Sequence, residues 1–276
     1  MASQLLQAAV LGVLTGGVYA LMASGLTLIF GVMRIINVGQ GALVILGAYL
    51  SFVLFNTWHI DPFLGLLVTM PAMFLIGVVL ELVFIRPLKT DRESLSVLVT
   101  YALALGIEGV LGFVFTANYR ELSVWYDTAS VPLFGFRITL VYVFGFALCL
   151  AILGALFLVL YRTTFGAAIR ATMLNRTAAQ LIGIDVEGVS AVAFGIGMAT
   201  AAAGGVVSRL LTVIVLGGLW SLRGAVVAAL IMLVTQDVAS VIIAPEWSAF
   251  VFFVILVAVL LVRPEGLYGV RVRERI

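Results

Sequence analysis

The chain has 276 residues, 64% of them hydrophobic and 10% charged, with a formal net charge of +2 and a mean hydropathy of +1.27. Soluble domains carry about 25% charged residues, so a water-facing surface over most of this chain is excluded and its solvent is lipid. One cysteine and one histidine exclude an internal disulfide framework, a thiolate metal cluster and Cys–His nucleophilic chemistry. A spanning helix needs about 20 apolar residues, and residues 5–32 form the first; MASQLLQAAV has no basic leader, so this span is expected to be retained. Arg34, Asn37 and a Gly-Gln-Gly turn at 39–41 precede a second apolar run at 42–55, and a short polar link leads to a third at 63–85. Arg86-Pro87-Leu88-Lys89 stops that span, and a compact polar loop precedes a fourth at 95–116. Residues 117–137 hold Tyr119, Trp125, Tyr126 and Phe134, an aromatic content suited to an interface. A fifth span occupies 138–160 and a sixth 189–207. The run at 211–243 is interrupted by GGLWSLRG, and 250–262 closes the apolar sequence before a basic tail.

The expected fold is therefore all-α: one polytopic helical membrane domain over 1–276. Eleven of the fifteen basic residues fall at Arg34, in the 86–92 loop, in the 162–187 segment and in the tail, which the positive-inside rule places in the cytoplasm. The N-terminus is then outside. Three full spans after residue 188 would put the tail outside as well, so 211–243 is expected to be broken or re-entrant, as backbone lining a cavity can be. That gives seven to nine spans, with the broken region counted among them. GVYALMASG at 17–25 and GVSAVAFGIG at 188–197 share a G-V-x-A pattern, either an internal repeat or two similar small-residue packing faces.

The segment YRTTFGAAIRATMLNRTAAQLIGIDVEG at 161–188 is the longest polar interruption on the basic side. Thr177 and Gln180 have capping-box spacing, residues 178–182 follow as a short helix, and Gly183 suits its C′ position. Asp185 caps the next long helix, with Glu187 in its first turn near the positive dipole end. A small helix held between two spans where arginines collect is either a docking element for a soluble partner or an ordinary basic loop.

Acids inside lipid are costly, about 2.5–3.5 kcal/mol for Asp on insertion scales. Glu81 is expected to snorkel or pair near the basic end of its span. Glu108 is expected to bond to a neighbouring helix, or else to line a polar path. Asp237 has Arg209 or Arg223 as possible partners. Asn37, Gln40 and Gly41 break two helices near the basic face, and Gly217 and Gly218 mark the second break. These are the candidates for a translocation path. No Walker lysine motif is present, nor GxSxG, HExxH or DxDxG, so an enzyme with its own ATPase site is disfavoured, and no metal site is expected.

GGVYALMASGLTLIFGVMRIINVGQGALVILGAY resembles the N-terminal signature of the permease subunits of branched-chain amino acid ABC importers. LELVFIRPLKTDRESLSVLVTYALALGIEG, the 161–205 stretch, VLGGLWSLRGAVVAAL and the ending VRPEGLYG are similar to later blocks of that family in the same order. The resemblance implies a second permease subunit, forming a homo- or heterodimer, and two cytoplasmic ATPase subunits docked on cytoplasmic loops. It also implies an external substrate-binding protein, no cofactor beyond the ATP held by the partners, no nucleic acid, and a multi-pass place in the bacterial inner membrane. Arg162, Gly166, Arg170, Ala171, Ala179, Gly183 and Asp185 fall on the family's ATPase-docking pattern, with Arg176 between them. The chain departs from the pattern in three places. Gln40 stands where a histidine is common, Trp220 and Arg223 stand in the second break, and about twenty residues are missing near 207–211. The transported substrate implied is a branched-chain amino acid or a related amide, urea or aromatic acid. An ion-coupled carrier using Glu108 and Asp237 and a non-transporting membrane scaffold are the alternatives.

Overall fold

The computed structural model describes residues 2–88, 91–115, 129–133, 136–207, 222–242 and Val254. Helix α1 (Ala2–Met33) is followed by α2 (Gln40–Trp58), α3 (Pro62–Leu80) with a π-helical turn at Glu81–Ile85, and α4 (Arg92–Phe115). A two-stranded antiparallel hairpin follows, β1 (Ser130–Leu133) and β2 (Phe136–Thr139), with Ser130 opposite Thr139 and Leu133 opposite Phe136. Then come α5 (Leu140–Arg162), α6 (Thr164–Leu174), α7 (Arg176–Leu181), α8 (Val186–Val207) and α9 (Leu222–Ile242).

Among the described residues six helices are long and apolar enough to cross a membrane: Gln4–Met33, Gln40–Trp58, Pro62–Ile85, Arg92–Phe115, Leu140–Arg162 and Val186–Val207. They match the six expected spans within a few residues. The predicted break at Gly217 and Gly218 lies outside the described residues, and α9 begins at Leu222, inside the GGLWSLRG stretch that reads as the interruption. The hairpin replaces the end of what reads as an interfacial segment. Its alternation, Phe136, Ile138 against Arg137, Thr139, is the strand period.

The helix ends follow from local chemistry. Asp61 accepts a hydrogen bond from the Phe63 amide at 2.9 Å, and Pro62 stands at the first helical position, where the missing N–H is not needed. His59 ends α2 in a left-handed conformation, its amide bonded to the Phe55 carbonyl at 2.9 Å. Hydroxyls inside the spans turn back on their own helices: Thr27 to the Ala23 carbonyl at 2.8 Å, Thr69 to Gly65 at 2.9 Å and Ser190 to Val186 at 2.7 Å. In hydrocarbon every polar group needs such an internal partner.

Packing divides the chain into two compact units where the sequence reads as one domain. The first comprises 1–27, 124–150 and 212–276, and the second 28–123 and 151–211. In the first, a Cβ on Gly12 of α1 would come within 2.6 Å of the Val234 backbone of α9, so the two backbones pass in close contact there. In the second, α8 is the centre: 83% of its apolar window is buried, against 17% for α4. It packs on α3 and α2. Lipid tails are as apolar as leucine, so spans are drawn together by close packing of small residues rather than by the hydrophobic effect. The run ATAAAGG at 199–205 of α8 supplies those residues, every one of them buried. A Cβ on Gly77 of α3 would lie 2.8 Å from the Gly195 Cα of α8, so the absence of a side chain sets the helix separation there.

Candidate functional site

The segment between α5 and α8 is a chain of interlocked caps. Thr163 closes α5 by donating to the Val159 carbonyl at 2.6 Å and opens α6 by accepting from the Gly166 amide at 3.0 Å. A Cβ on Gly166 would run into the carbonyls of Val159 and Leu160, so glycine lets α6 fold tightly back on the end of α5. Sequence reasoning missed α6. Its signal is amphipathic spacing: Ile169 and Thr172 are buried, while Leu174 is exposed. Arg170 lies over the Tyr161 ring, 5.2 Å from its centroid, a cation–π contact that fixes α6 to α5. Its Nη1 is buried without a hydrogen-bond partner among the described residues.

The cap of α7 is Asn175, not Thr177. Asn175 is extended (φ −155°, ψ 107°) and accepts from the Ala178 amide at 3.0 Å. Its own amide closes α6 on the Ala171 carbonyl at 3.0 Å. The two-residue shift has a plain cause. Asparagine is the stronger N-cap, and one Asn ends α6 and starts α7, which leaves Thr177 inside the helix. At the other end Gly183 takes φ +86°. Its amide bonds to the Gln180 carbonyl and the Ile184 amide to that of Ala179, each at 3.0 Å, which is the Schellman pattern. Asp185 then accepts from the Gly188 amide at 3.0 Å and caps α8, as expected.

These turns leave an exposed surface of mixed character. Leu174 is 83% exposed, Leu181 83% and Ile182 75%, beside the exposed Arg162 and the half-buried Arg176, while Ala179 is buried and Ala171 half-buried. Burial, and after it the nearby Arg92 guanidinium, lower the Arg176 pKa from the ordinary arginine value. Arg86, in the turn after α3, donates through Nε and Nη2 to one Glu187 carboxylate oxygen. That hydrogen bond raises the Arg86 pKa. Glu81 is 1% exposed in the π-helical turn, and its carboxylate lies 3.7 Å from Arg92, so the pairing expected of it is with the start of α4.

The break between α1 and α2 also sits in the second unit. Asn37 Nδ2 donates to Gln40 Oε1 at 3.0 Å, and both side chains are buried. Thr100 of α4 stitches the break down: its hydroxyl accepts from the Val38 amide at 3.2 Å and contacts the Ile36 carbonyl at 3.3 Å. Gly41 has open space where a Cβ would stand. Glu108 is exposed on α4 and takes no hydrogen bond among the described residues. Asp237 is half-buried in α9, within electrostatic reach of Tyr19 on α1 in the same unit. Gly217 and Gly218 lie outside the described residues, so the structure joins Asn37 and Gln40 but not the second half of the candidate path.

The described fold and segment are those of a multi-pass helical membrane protein with a capped helical element on its basic side. Residues 8–212 match the family described as branched-chain amino acid transport system / permease component, and the chain belongs to that family of transport permeases. It is 27% identical to a probable branched-chain amino acid transport permease protein LivH of Methanocaldococcus jannaschii, over 91% of this chain and 88% of that one. It is 26% identical to the high-affinity branched-chain amino acid transport system permease protein LivH of Escherichia coli, over 94% and 93%. It is 24% identical to BraD of Pseudomonas aeruginosa, over 96% and 95%. No solved structure matches the chain.

Proposed function

We propose that the chain is the membrane-embedded permease subunit of an ATP-driven importer in a bacterial inner membrane, passing branched-chain or related amino acids. It binds no nucleotide itself. ATP is held by two cytoplasmic subunits, a second permease completes the pore, and an external binding protein delivers substrate. The observation that carries this is the 162–187 segment. Three aliphatic side chains, Leu174, Leu181 and Ile182, project from its surface at a polar interruption between candidate spans. Exposed apolar groups rimmed by charge mark protein-binding surfaces, and the caps at Thr163, Asn175, Gly183 and Asp185 hold them rigid, which lowers the ordering cost of docking. The ion-coupled carrier draws no support from Glu108, which is exposed on α4.

The test is reconstitution with the partner ATPases and binding protein. Leu181→Glu and Leu174→Glu, both at side chains 83% exposed, are expected to leave the subunit folded and inserted while abolishing ATP-dependent uptake and substrate-stimulated ATP hydrolysis. Arg170→Glu also removes the contact that holds α6 on α5, so the two leucine variants decide: unchanged uptake in both of these, or uptake that follows an ion gradient with the ATPases left out, overturns the reading.

A further inference from the structure

Met173 and Leu174 close α6 and face different neighbours. Leu174 is exposed, whereas Met173 is half-buried and lies on α1. A Cβ on Gly31, in the last turn of α1, would collide with the Met173 terminal methyl, and Met173 Sδ and Cγ stand 3.5 Å from the same point. An unbranched, polarisable thioether suits such an irregular gap, and glycine at 31 lets it reach the α1 backbone.

The turn it covers leads into a strained joint. Three residues later Arg34 takes φ +52°, a left-handed conformation that costs a residue with a Cβ and persists only where its surroundings hold it. The Arg34 amide bonds to the Phe30 carbonyl at 2.8 Å, which fastens it to the turn that contains Gly31. Beyond it stand the buried Asn37 and Gln40. The far side of the break is fixed to α4, where the Thr100 hydroxyl accepts from the Val38 amide at 3.2 Å. The break is thus held at Val38 by α4 and at Gly31 by α6, all within the second unit. A displacement of α6 against α4 is taken up between those points, at Arg34. Other ties of the 162–187 segment lead elsewhere: Arg170 rests on Tyr161 of α5, and Glu187 bonds to Arg86.

We propose that Met173 is a positioning residue for transport. It seats α6 on the last turn of α1, so that a displacement of the docking surface at Leu174 is delivered to the α1–α2 break. This rests on the importer reading and adds the route from the docking surface to the candidate path.

The test has two arms. In the isolated subunit, Met173→Ala is expected to speed amide exchange at Arg34 and to leave exchange along α8 unchanged. In vesicles with the partner ATPases and binding protein, it is expected to retain the ATPases and to lower uptake per ATP hydrolysed by about 2- to 30-fold, the range that single positions in a coupled network span. Met173→Leu keeps the volume and is expected to keep the coupling. Gly31→Ala displaces the thioether from the α1 side and is expected to show the same loss. The double variant is expected to be no worse than either single one, because both break one contact. Unchanged Arg34 exchange or unchanged uptake per ATP in Met173→Ala, an equal defect in Met173→Leu, or losses that multiply in the double variant overturns the proposal. If Met173→Ala does not fold, Gly31→Ala decides by the same two readouts. The exchange arm needs no ATPase, so it decides the seat even where wild-type uptake proves independent of ATP and the importer reading falls.

Discussion

Arg86 and Glu187 are 101 positions apart in sequence and join the turn after α3 to the first turn of α8. Both side chains are about half exposed, and solvent screens such pairs, so the bond contributes little to global stability. Its value is positional. Glu187 stands two residues after Asp185, the cap of α8, so the pair ties the end of the 162–187 segment to the turn after α3. Arg86→Glu is expected to leave the melting temperature nearly unchanged while lowering coupling between ATP hydrolysis and uptake. The swap Arg86→Glu with Glu187→Arg is expected to restore coupling only in part, because a cation in the first turn of α8 opposes the helix dipole. A large thermal shift with intact coupling would contradict this. Gly183 presents a different balance at the same scale. At φ +86° a side chain costs about 1–2 kcal/mol. Gly183→Ala is therefore expected to fray the end of α7, read as faster amide exchange at Ile182 to Ile184, without unfolding the spans.

At the scale of elements the same substitution has opposite consequences on two helices. A Cβ on Gly77 of α3 meets the backbone of α8, whereas a Cβ on Gly106 of α4 meets nothing within 4 Å. Gly77→Leu is expected to destabilise the detergent-solubilised protein by about 1–3 kcal/mol or more through overpacking. Gly106→Leu is expected to be nearly silent or slightly stabilising through helix propensity. Equal melting temperatures for the two would mean that α3 and α8 are not in contact. The spans themselves are plain in the sequence because about 20 apolar residues in a row admit few other structures. The central place of α8 was not read from the sequence, because α1 is also rich in Gly and small residues and only packing tells the two apart. What the sequence hides is what depends on geometry. Helix α6 is short, and its apolar positions are diluted by Thr and Ala. The α7 cap went to Asn175 and not Thr177, two residues whose side-chain oxygens can both accept from a first-turn amide. The Arg86–Glu187 and Thr100–Val38 bonds join distant positions that no local pattern relates. In the 162–187 segment Gly183 and Asp185 were legible because each meets a backbone requirement, whereas Gly166 was marked by the family resemblance alone and its close approach to the end of α5 by no local pattern. The projecting Leu174 was not legible, since only the fold of α6 turns it outward.

For the whole molecule, the decisive quantity is the number of crossings before residue 162. Five of the six candidate spans, ending at Arg162, precede the 162–187 segment, and five single crossings put the N-terminus and that segment on opposite faces of the bilayer. The positive-inside rule assigns the segment to the cytoplasm, and by the same parity of crossings Arg34 and Arg86 are expected on that side and add to the bias. The link after α2 then faces outward. Cysteine chemistry can read this directly, because Cys149 is the one native thiol and is 0% exposed inside α5, so it gives little background. Thr57 and Gln180 are both exposed and replaceable without loss of a cap. In intact cells a membrane-impermeant maleimide is expected to label Thr57→Cys and to spare Gln180→Cys, and permeabilisation is expected to bring Gln180→Cys to full labelling. The inverse pattern would place Leu181 and Ile182 outside the cell, where no ATPase could reach them, and the proposed importer would lose its motor even though every helix and cap described above stayed as it is.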